Sequence, residues 1–260
     1  MNTYKKKVLI YNDNGVFDIS NLKNSLKNHF IKHDVLVDTI NARELLAKQK
    51  LNNEEVVAFF MPGGIANEYY KKLFGEGNKI IQDYVNLGGT YFGICAGAYY
   101  ACKNVEFETE IPESRLSVNY GLDLVNGVAR GTMYKEFDIL PFSKRPESVT
   151  VVKLKGKKLM SNYVAIYHGG PFFDEFGEDC KVLANYCCDS KNEYPAIMSL
   201  PYGDGNVILS GVHFETGADD LEALKPYLYK NKSYMELLKN LKKGEKARKK
   251  LFKSLMTKIM

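Results

Sequence analysis

Thr90-Tyr91-Phe92-Gly93-Ile94-Cys95-Ala96-Gly97 is the stretch that decides the fold of this chain. An apolar run enters a tight turn holding one cysteine, and Ala98-Tyr99-Tyr100-Ala101 opens as a helix behind it. A sharp strand-to-helix turn strains the residue at its apex and accepts only small neighbours, here Gly93 before it and Ala96-Gly97 after it. Such a turn brings the sulfur out at the carboxyl end of a strand and at a helix N-terminus, where unpaired N–H groups favour the thiolate. A nucleophile is built this way. The same pentapeptide also suits a buried structural cysteine, since free Cys is among the most buried residue types.

A second segment lies far downstream, Ser210-Gly211-Val212-His213-Phe214-Glu215. It follows a hairpin signal: Ala196 to Leu200, a turn at Tyr202-Gly203-Asp204-Gly205-Asn206, then Val207-Ile208-Leu209. In an extended chain His213 and Glu215 point to one face, because side chains alternate with period two. A carboxylate so placed holds the imidazole ring, sets its tautomer and stabilises the imidazolium. Cys95, His213 and Glu215 are therefore the candidate catalytic residues.

Strand and helix signals alternate through the first half. Lys7 to Tyr11, Asp34 to Ile40 and Val56 to Phe60 read as strands. Asp18 to His29 (capped by Asp18 or Ser20), Ala42 to Lys48, Asn67 to Phe74 and Asn78 to Leu87 read as helices. Alternating βα units imply a parallel sheet with helices on both faces, and ligands bind beyond the carboxyl ends of its strands. Gly63, Gly64 and Cys95 fall there. From Glu108 to Pro146 the periodicity weakens, and the stretch reads as a loop-rich insertion over the site. Val149 to Leu154 and Leu159 to Tyr167 read as a hairpin, and Lys181 to Cys187 as a further strand.

Pro62-Gly63-Gly64, Gly93-Ile94-Cys95-Ala96-Gly97 and His213-Phe214-Glu215 together resemble the class I glutamine amidotransferase-like superfamily. A narrower resemblance is to the domain at the N-terminus of eukaryotic biotin-protein ligases, also found as stand-alone bacterial proteins. It rests on Met61 to Gly64, Gly88 to Tyr99 with Val105-Glu106-Phe107-Glu108, and Tyr167-His168-Gly169-Gly170-Pro171, and spans about residues 5 to 228. The resemblance implies an α/β, flavodoxin-like three-layer sandwich with a mostly parallel central sheet. Two positions depart from glutaminase domains. Tyr99 stands where a glutamine usually holds the substrate chain, and Phe214 where proline usually follows the histidine. The first weakens glutamine as substrate and implies a flatter, more aromatic pocket with Tyr99 and Tyr100 near its wall.

If Cys95 attacks a carbonyl, the oxyanion needs donors about 3 Å away. The Ala96 N–H is one candidate, and Gly63 or Gly64 supplies the second, where a missing Cβ lets backbone approach substrate. His168 and Gly169 follow an apolar strand, and His168 reads either as a substrate contact or as a surface histidine on a turn. Glu108 and Arg115 match subfamily positions and are candidate anchors for a polar substrate group, or plain exposed loop charges.

The chain has 260 residues and a formal charge of +5. Eleven Lys or Arg from residue 230 onward stand against Glu236 and Glu245, so the tail carries +9 and the remainder −4. The expected organisation is a globular domain over 1–228 and a basic amphipathic helical extension over 229–260. The extension's apolar stripe (Leu237, Leu238, Leu241, Leu251, Phe252, Leu255, Met256, Ile259) packs on its own domain, on a second subunit in a homodimer, or on a partner protein; a basic amphipathic helix also binds membrane surfaces. No membrane span and no nucleic-acid partner are expected, because no apolar run approaches ~18 residues and the basic charge belongs to the tail. Five cysteines, odd in number and without Cys-x-x-Cys spacing, suggest neither a disulfide framework nor a zinc site. A reduced cytoplasmic setting without cofactor or metal fits them.

These features point to a cysteine amidohydrolase or amidotransferase-like enzyme acting on a small amide or related carbonyl compound. The alternatives are a non-catalytic regulatory or binding domain of the ligase N-terminal type, and an ammonia-supplying amidotransferase subunit. Biotin ligation is not expected, since no Gly-Arg-Gly-Arg-type adenylation loop is present.

Overall fold

The computed structural model describes residues 6–48, 51–107, 115–139, 148–156, 162–188, 192–228 and 230–259. In β1 (Lys6–Tyr11), Val8 and Ile10 enter one core while Leu9 and Tyr11 enter another. In β3 (Val56–Met61), Ala58 and Phe60 join the first core, and Phe59 and Met61 the second. Side chains alternate along a strand, so a run that is apolar at every position needs cover on both faces. Helices provide it. On the first side lies α1 (Ser20–Phe30), through Leu22, Leu26 and Phe30. On the other lie α2 (Ala42–Lys48), α3 (Ala66–Leu73) and α4 (Glu76–Asn86), through Leu45, Tyr69, Leu73, Ile81 and Val85. Neither Asp18 nor Ser20 caps α1 by a side chain; Ile19 takes the cap position and Asp18 accepts the Ser20 N–H at 2.8 Å.

Among the described residues the main sheet has nine strands. Five are parallel: β2 (Val35–Ile40), β1, β3, β4 (Thr90–Ile94) and β13 (Gly205–Ser210). Four antiparallel strands continue it: β12 (Tyr194–Tyr202), β11 (Lys181–Tyr186), β8 (Thr150–Gly156) and β9 (Asn162–Tyr167). The expected hairpins at 196–209 and 149–167 are β12–β13 and β8–β9. The register decides where chemistry can gather. Ser210 pairs with Ile94, and Met61 with Gly93. The chain leaving β3, β4 and β13 therefore emerges at one carboxyl edge, carrying Pro62–Gly64, Cys95 and Gly211–Glu215.

The middle segment is more ordered than a loop-rich insertion. β5 (Cys102–Phe107), β6 (Leu116–Val118), β7 (Val125–Arg130) and β10 (Phe172–Asp174) form a second sheet in the order β10-β7-β5-β6. These strands are short, β5 begins directly at the end of the preceding helix, and Gly127 interrupts β7; alternation has no length over which to show.

At the C-terminal side, α6 (Ala218–Leu228) is followed by α7 (Lys232–Met256), whose cap Asn231 accepts the Tyr234 N–H at 2.9 Å. Leu251, Leu255 and Met256 of α7 join the core beneath α1, while Tyr234, Leu238 and Leu241 pack with Ile166 and Leu221. Its apolar stripe thus packs on its own chain. Among the described residues no helix is long and apolar enough to cross a membrane.

Candidate active site

Cys95 sits between β4 and α5 (Ala96–Ala101) with φ 50° and ψ −106°, a conformation a side-chain-bearing residue adopts only under strain of about 1–3 kcal/mol. Backbone bonds hold it there. The Cys95 N–H donates to the Ser210 carbonyl at 2.8 Å, and its own carbonyl accepts the N–H groups of Ala98 and Tyr99, each at 3.0 Å. Gly97 donates to the Pro62 carbonyl at 3.1 Å, and a Cβ on Gly97 would collide with the Met61 carbonyl. Two buried tyrosines brace the turn from below: Tyr69 donates to the Pro62 carbonyl at 3.2 Å and Tyr91 to the Gly97 carbonyl at 2.8 Å. Sequence reading passed over both. Their signal was a phenol in a buried run, which needs an acceptor nearby.

His213 and Glu215 meet as their spacing predicts, Nδ1 to Oε1 at 2.7 Å. They belong to no regular strand. A single bridge ties the segment to β9: the His213 N–H donates to the Ile166 carbonyl at 2.8 Å and receives the Ile166 N–H on its own carbonyl at 3.3 Å. Two further clamps come from helices. Ser25 Oγ donates to the Glu215 carbonyl at 3.1 Å, and Arg248 Nη1 to the Phe214 carbonyl at 2.7 Å. Arg248 is itself buried and held by both oxygens of Glu245, at 2.9 and 2.7 Å. No pattern in the sequence links a lysine-rich tail to the site, and Arg248 was not among the expected residues.

The His213 ring lies against Cys95. A Cβ on Gly63 would come within 2.7 Å of His213 Cε1 and 3.5 Å of the Cys95 Cβ, so only glycine fits between the cysteine and the imidazole. Burial pushes the imidazole pKa down, but the Glu215 carboxylate and hydrogen bonds to the Cys95 sulfur and to Glu215 more than offset it. The ring is held well above its ordinary 6.5. Cys95 Sγ also lies 3.6 Å from the His168 carbonyl, and the His168 and His213 rings are 6.5 Å apart between centroids.

Two cavities adjoin Cys95. The larger, about 230 Å³, is lined by Ile65, Ala66, Asn67, Tyr99, Val105, Phe107, Leu116 and Tyr120, with Gly64, Ala96, His168 and Gly169 completing it. The smaller, about 90 Å³, is lined by Phe17, Asp18, Ile19, Leu22, Pro62, Gly63, His213, Glu215 and Thr216. Cys95, Gly64 and His168 border both. Among the described residues no acceptor is found for the amides of Gly64 and Ala96. Nor, among them, do three or more His, Cys, Asp or Glu side chains gather to hold a metal.

Tyr99 lines the larger cavity as expected, but its hydroxyl donates to the Gly169 carbonyl at 3.1 Å. Tyr167 and Tyr186 hold the next two carbonyls of that turn, Gly170 at 3.1 Å and Pro171 at 3.0 Å. Tyr100 corrects the expected pocket wall. It points into the core, donating to Asn78 Oδ1 at 2.5 Å and packing on Tyr69 and Tyr120, because Tyr99 and Tyr100 leave the helix in different directions. Arg115 is exposed just before β6 and lines neither cavity. Glu108 lies outside the described residues.

Residues 6–260 match the family described as biotin-protein ligase, N terminal, a match that runs through α7. An uncharacterised protein of Chlamydia muridarum is 31% identical over 215 residues, 81% of this chain and 80% of that protein. A biotin–protein ligase of Schizosaccharomyces pombe is 28% identical over 219 residues, 82% of this chain but 34% of the ligase. Among solved structures, a glutamine amidotransferase from Thermotoga maritima superposes with a TM-score of 0.60, covering 98% of both chains at 18% identity. At that identity the likeness carries the fold alone: the glutamine amidotransferase-like α/β sandwich.

Proposed function

The chain belongs to the biotin-protein ligase N-terminal family, and from that premise we propose that it is a cysteine amidohydrolase or amidotransferase-like enzyme. Cys95 is the nucleophile, His213 moves the proton, and Glu215 orients the ring and balances its charge. One observation carries this reading. A cysteine at the apex of a strained turn lies against a histidine whose Nδ1 is 2.7 Å from a buried carboxylate.

In the reaction, the Cys95 sulfur attacks an amide carbonyl while its proton passes to His213. The negative oxygen of the tetrahedral intermediate points to the amides of Gly64 and Ala96, the latter being the residue after the nucleophile. Gly63 lines the histidine side. His213 then gives its proton to the departing nitrogen, the C–N bond breaks, and a thioester remains. Water attacks the thioester, loses a proton to His213, and the C–S bond breaks to release the acid and restore the thiol. The free cysteines accord with a reducing, cytoplasmic setting.

The test is selective alkylation. Burial pushes the Cys102, Cys180 and Cys187 thiols up, so they compete poorly for iodoacetamide at pH 7. Mass spectrometry should find Cys95 modified first. Equal rates at Cys95 and Cys187 would remove the nucleophile reading. They would favour a second one, a regulatory or binding domain, which draws support from the ligase relative, about a third of whose length this chain spans.

A further inference from the structure

We infer that the substrate is a carboxamide with a small leaving group and an acyl group that is uncharged and apolar, about the size of a phenylacetyl or hexanoyl group. The inference rests on the proposed roles of Cys95 and His213 and adds the direction in which substrate lies across them. His213 protonates the departing nitrogen, so that nitrogen must lie on the histidine side of the sulfur. His213 and Glu215 line only the smaller cavity. The leaving group therefore sits there, and the acyl group extends the opposite way, into the larger cavity.

Size and chemistry then separate the two ends. A space of about 90 Å³ takes ammonia or an amine of a few heavy atoms and is too small for a ring, so the leaving group is small. The acyl chamber, about 230 Å³, exceeds the ~150 Å³ that accommodates benzene in an apolar cavity, so it holds a ring plus a short linker or a six-carbon chain. Its described lining includes the polar side chains of Asn67 and His168 but no Asp, Glu, Lys or Arg, and most of the wall is aliphatic or aromatic. Burial keeps the Tyr99 phenol well above its ordinary range, hence neutral, and its proton is directed at Gly169. An α-amino or carboxylate group entering here would lose water without gaining a counter-charge, which apolar surroundings do not tolerate. Ile65 and Leu116, 48% and 40% exposed, extend the apolar surface outward at the chamber's lip. The net reaction is amide plus water giving carboxylic acid plus ammonia or a small amine, and primary amides are the probes because the ammonia they release is measured directly.

The experiment measures ammonia release from acetamide, hexanamide, phenylacetamide, succinamate and glutamine, with wild type and Cys95→Ala side by side. In wild type, kcat/KM should rise about fourfold for each methylene that enters the chamber, succinamate and glutamine should fall below acetamide, and all turnover should vanish in Cys95→Ala. Ala66→Leu, which shortens the chamber, should move the optimum toward shorter acyl groups. Binding to Cys95→Ala, read by saturation-transfer NMR, separates pocket from chemistry: phenylacetamide should bind and succinamate should not. A flat series, or a preference for succinamate or glutamine, overturns the inference. If Cys95 is selectively alkylated by iodoacetamide yet no apolar preference shows in turnover or binding, the substrate class alone is wrong. If phenylacetamide binds selectively but Cys95 reacts no faster than other thiols, the nucleophile reading fails and the apolar ligand stands.

Discussion

Around Cys95 the clamps are largely backbone bonds, from its own N–H to Ser210 at the end of β13 and from Gly97 of α5 to Pro62 just beyond β3. Around His213 and Glu215 they are largely side chains brought from elsewhere: Ser25 of α1, 190 residues before Glu215, and Arg248 of α7. The difference separates two kinds of precision. A turn held by sterics and backbone bonds is inseparable from the fold, so damage there is felt first as lost stability. A segment held by a few side-chain hydrogen bonds moves by fractions of an ångström when one is removed, and the proton transfer suffers while the sheet survives.

The largest effect should come at the backbone-clamped end. Gly97→Ala drives a Cβ into the Met61 carbonyl, and neither partner is a flexible side-chain end. A loss of about 3 kcal/mol or more in urea unfolding is expected. A variant that unfolds like wild type would mean the turn is not sterically set.

Arg248→Met comes next. It removes a buried guanidinium and leaves Glu245 with only the Ala218 N–H and Lys249, which should cost about 3 kcal/mol and also slow Cys95 alkylation by releasing the Phe214 carbonyl. Adding Glu245→Leu should restore stability without restoring the alkylation rate, and the pH profile of alkylation should stay displaced in both variants. Recovery of rate along with stability would reduce Arg248 to a packing role.

Glu215→Gln should do the reverse of Gly97→Ala, melting near wild type while Cys95 alkylation falls by about tenfold or more. An unchanged rate would detach Glu215 from the triad. The smallest effect is one of titration. By NMR, His213 should titrate well above 6.5, whereas His29, pushed down by burial with His33, Lys253 and Lys32 adding to it, should titrate below. Because the folded pKa of His213 is raised, its contribution to stability is full below about pH 6.5 and is lost as pH climbs through the elevated value. A wild-type advantage over Glu215→Gln that grew with rising pH would contradict the sign.

Much of the parallel half was legible, because its strands are continuous apolar runs ending in glycine turns and its helices carry their own periodicity. Ala42 to Lys48 and the β12–β13 hairpin stand where the sequence places them. The second sheet was not legible, since strands such as Leu116–Val118 are too short to show alternation and gain their stability from partners across the sheet. Tyr100 misled for a related reason: adjacent helical residues point about 100° apart, and sequence alone does not say which faces the core.

By itself the sequence determined the elements that local sterics dictate: the glycine-flanked turn at Cys95, the two-residue spacing that lets Glu215 reach His213, and the alternation that builds a covered parallel sheet. Tertiary structure decided what depends on register and on distant side chains. Pairing Ser210 with Ile94 and Met61 with Gly93 sets three loops side by side, and no local pattern encodes that alignment. It also turned Arg248 of a lysine-rich helix inward to the Phe214 carbonyl and gave Cys95 a largely apolar chamber on one side and a mixed one holding His213 and Glu215 on the other. Such features arise only when surfaces from separate elements meet, because a cavity's chemistry is the sum of walls far apart in the chain.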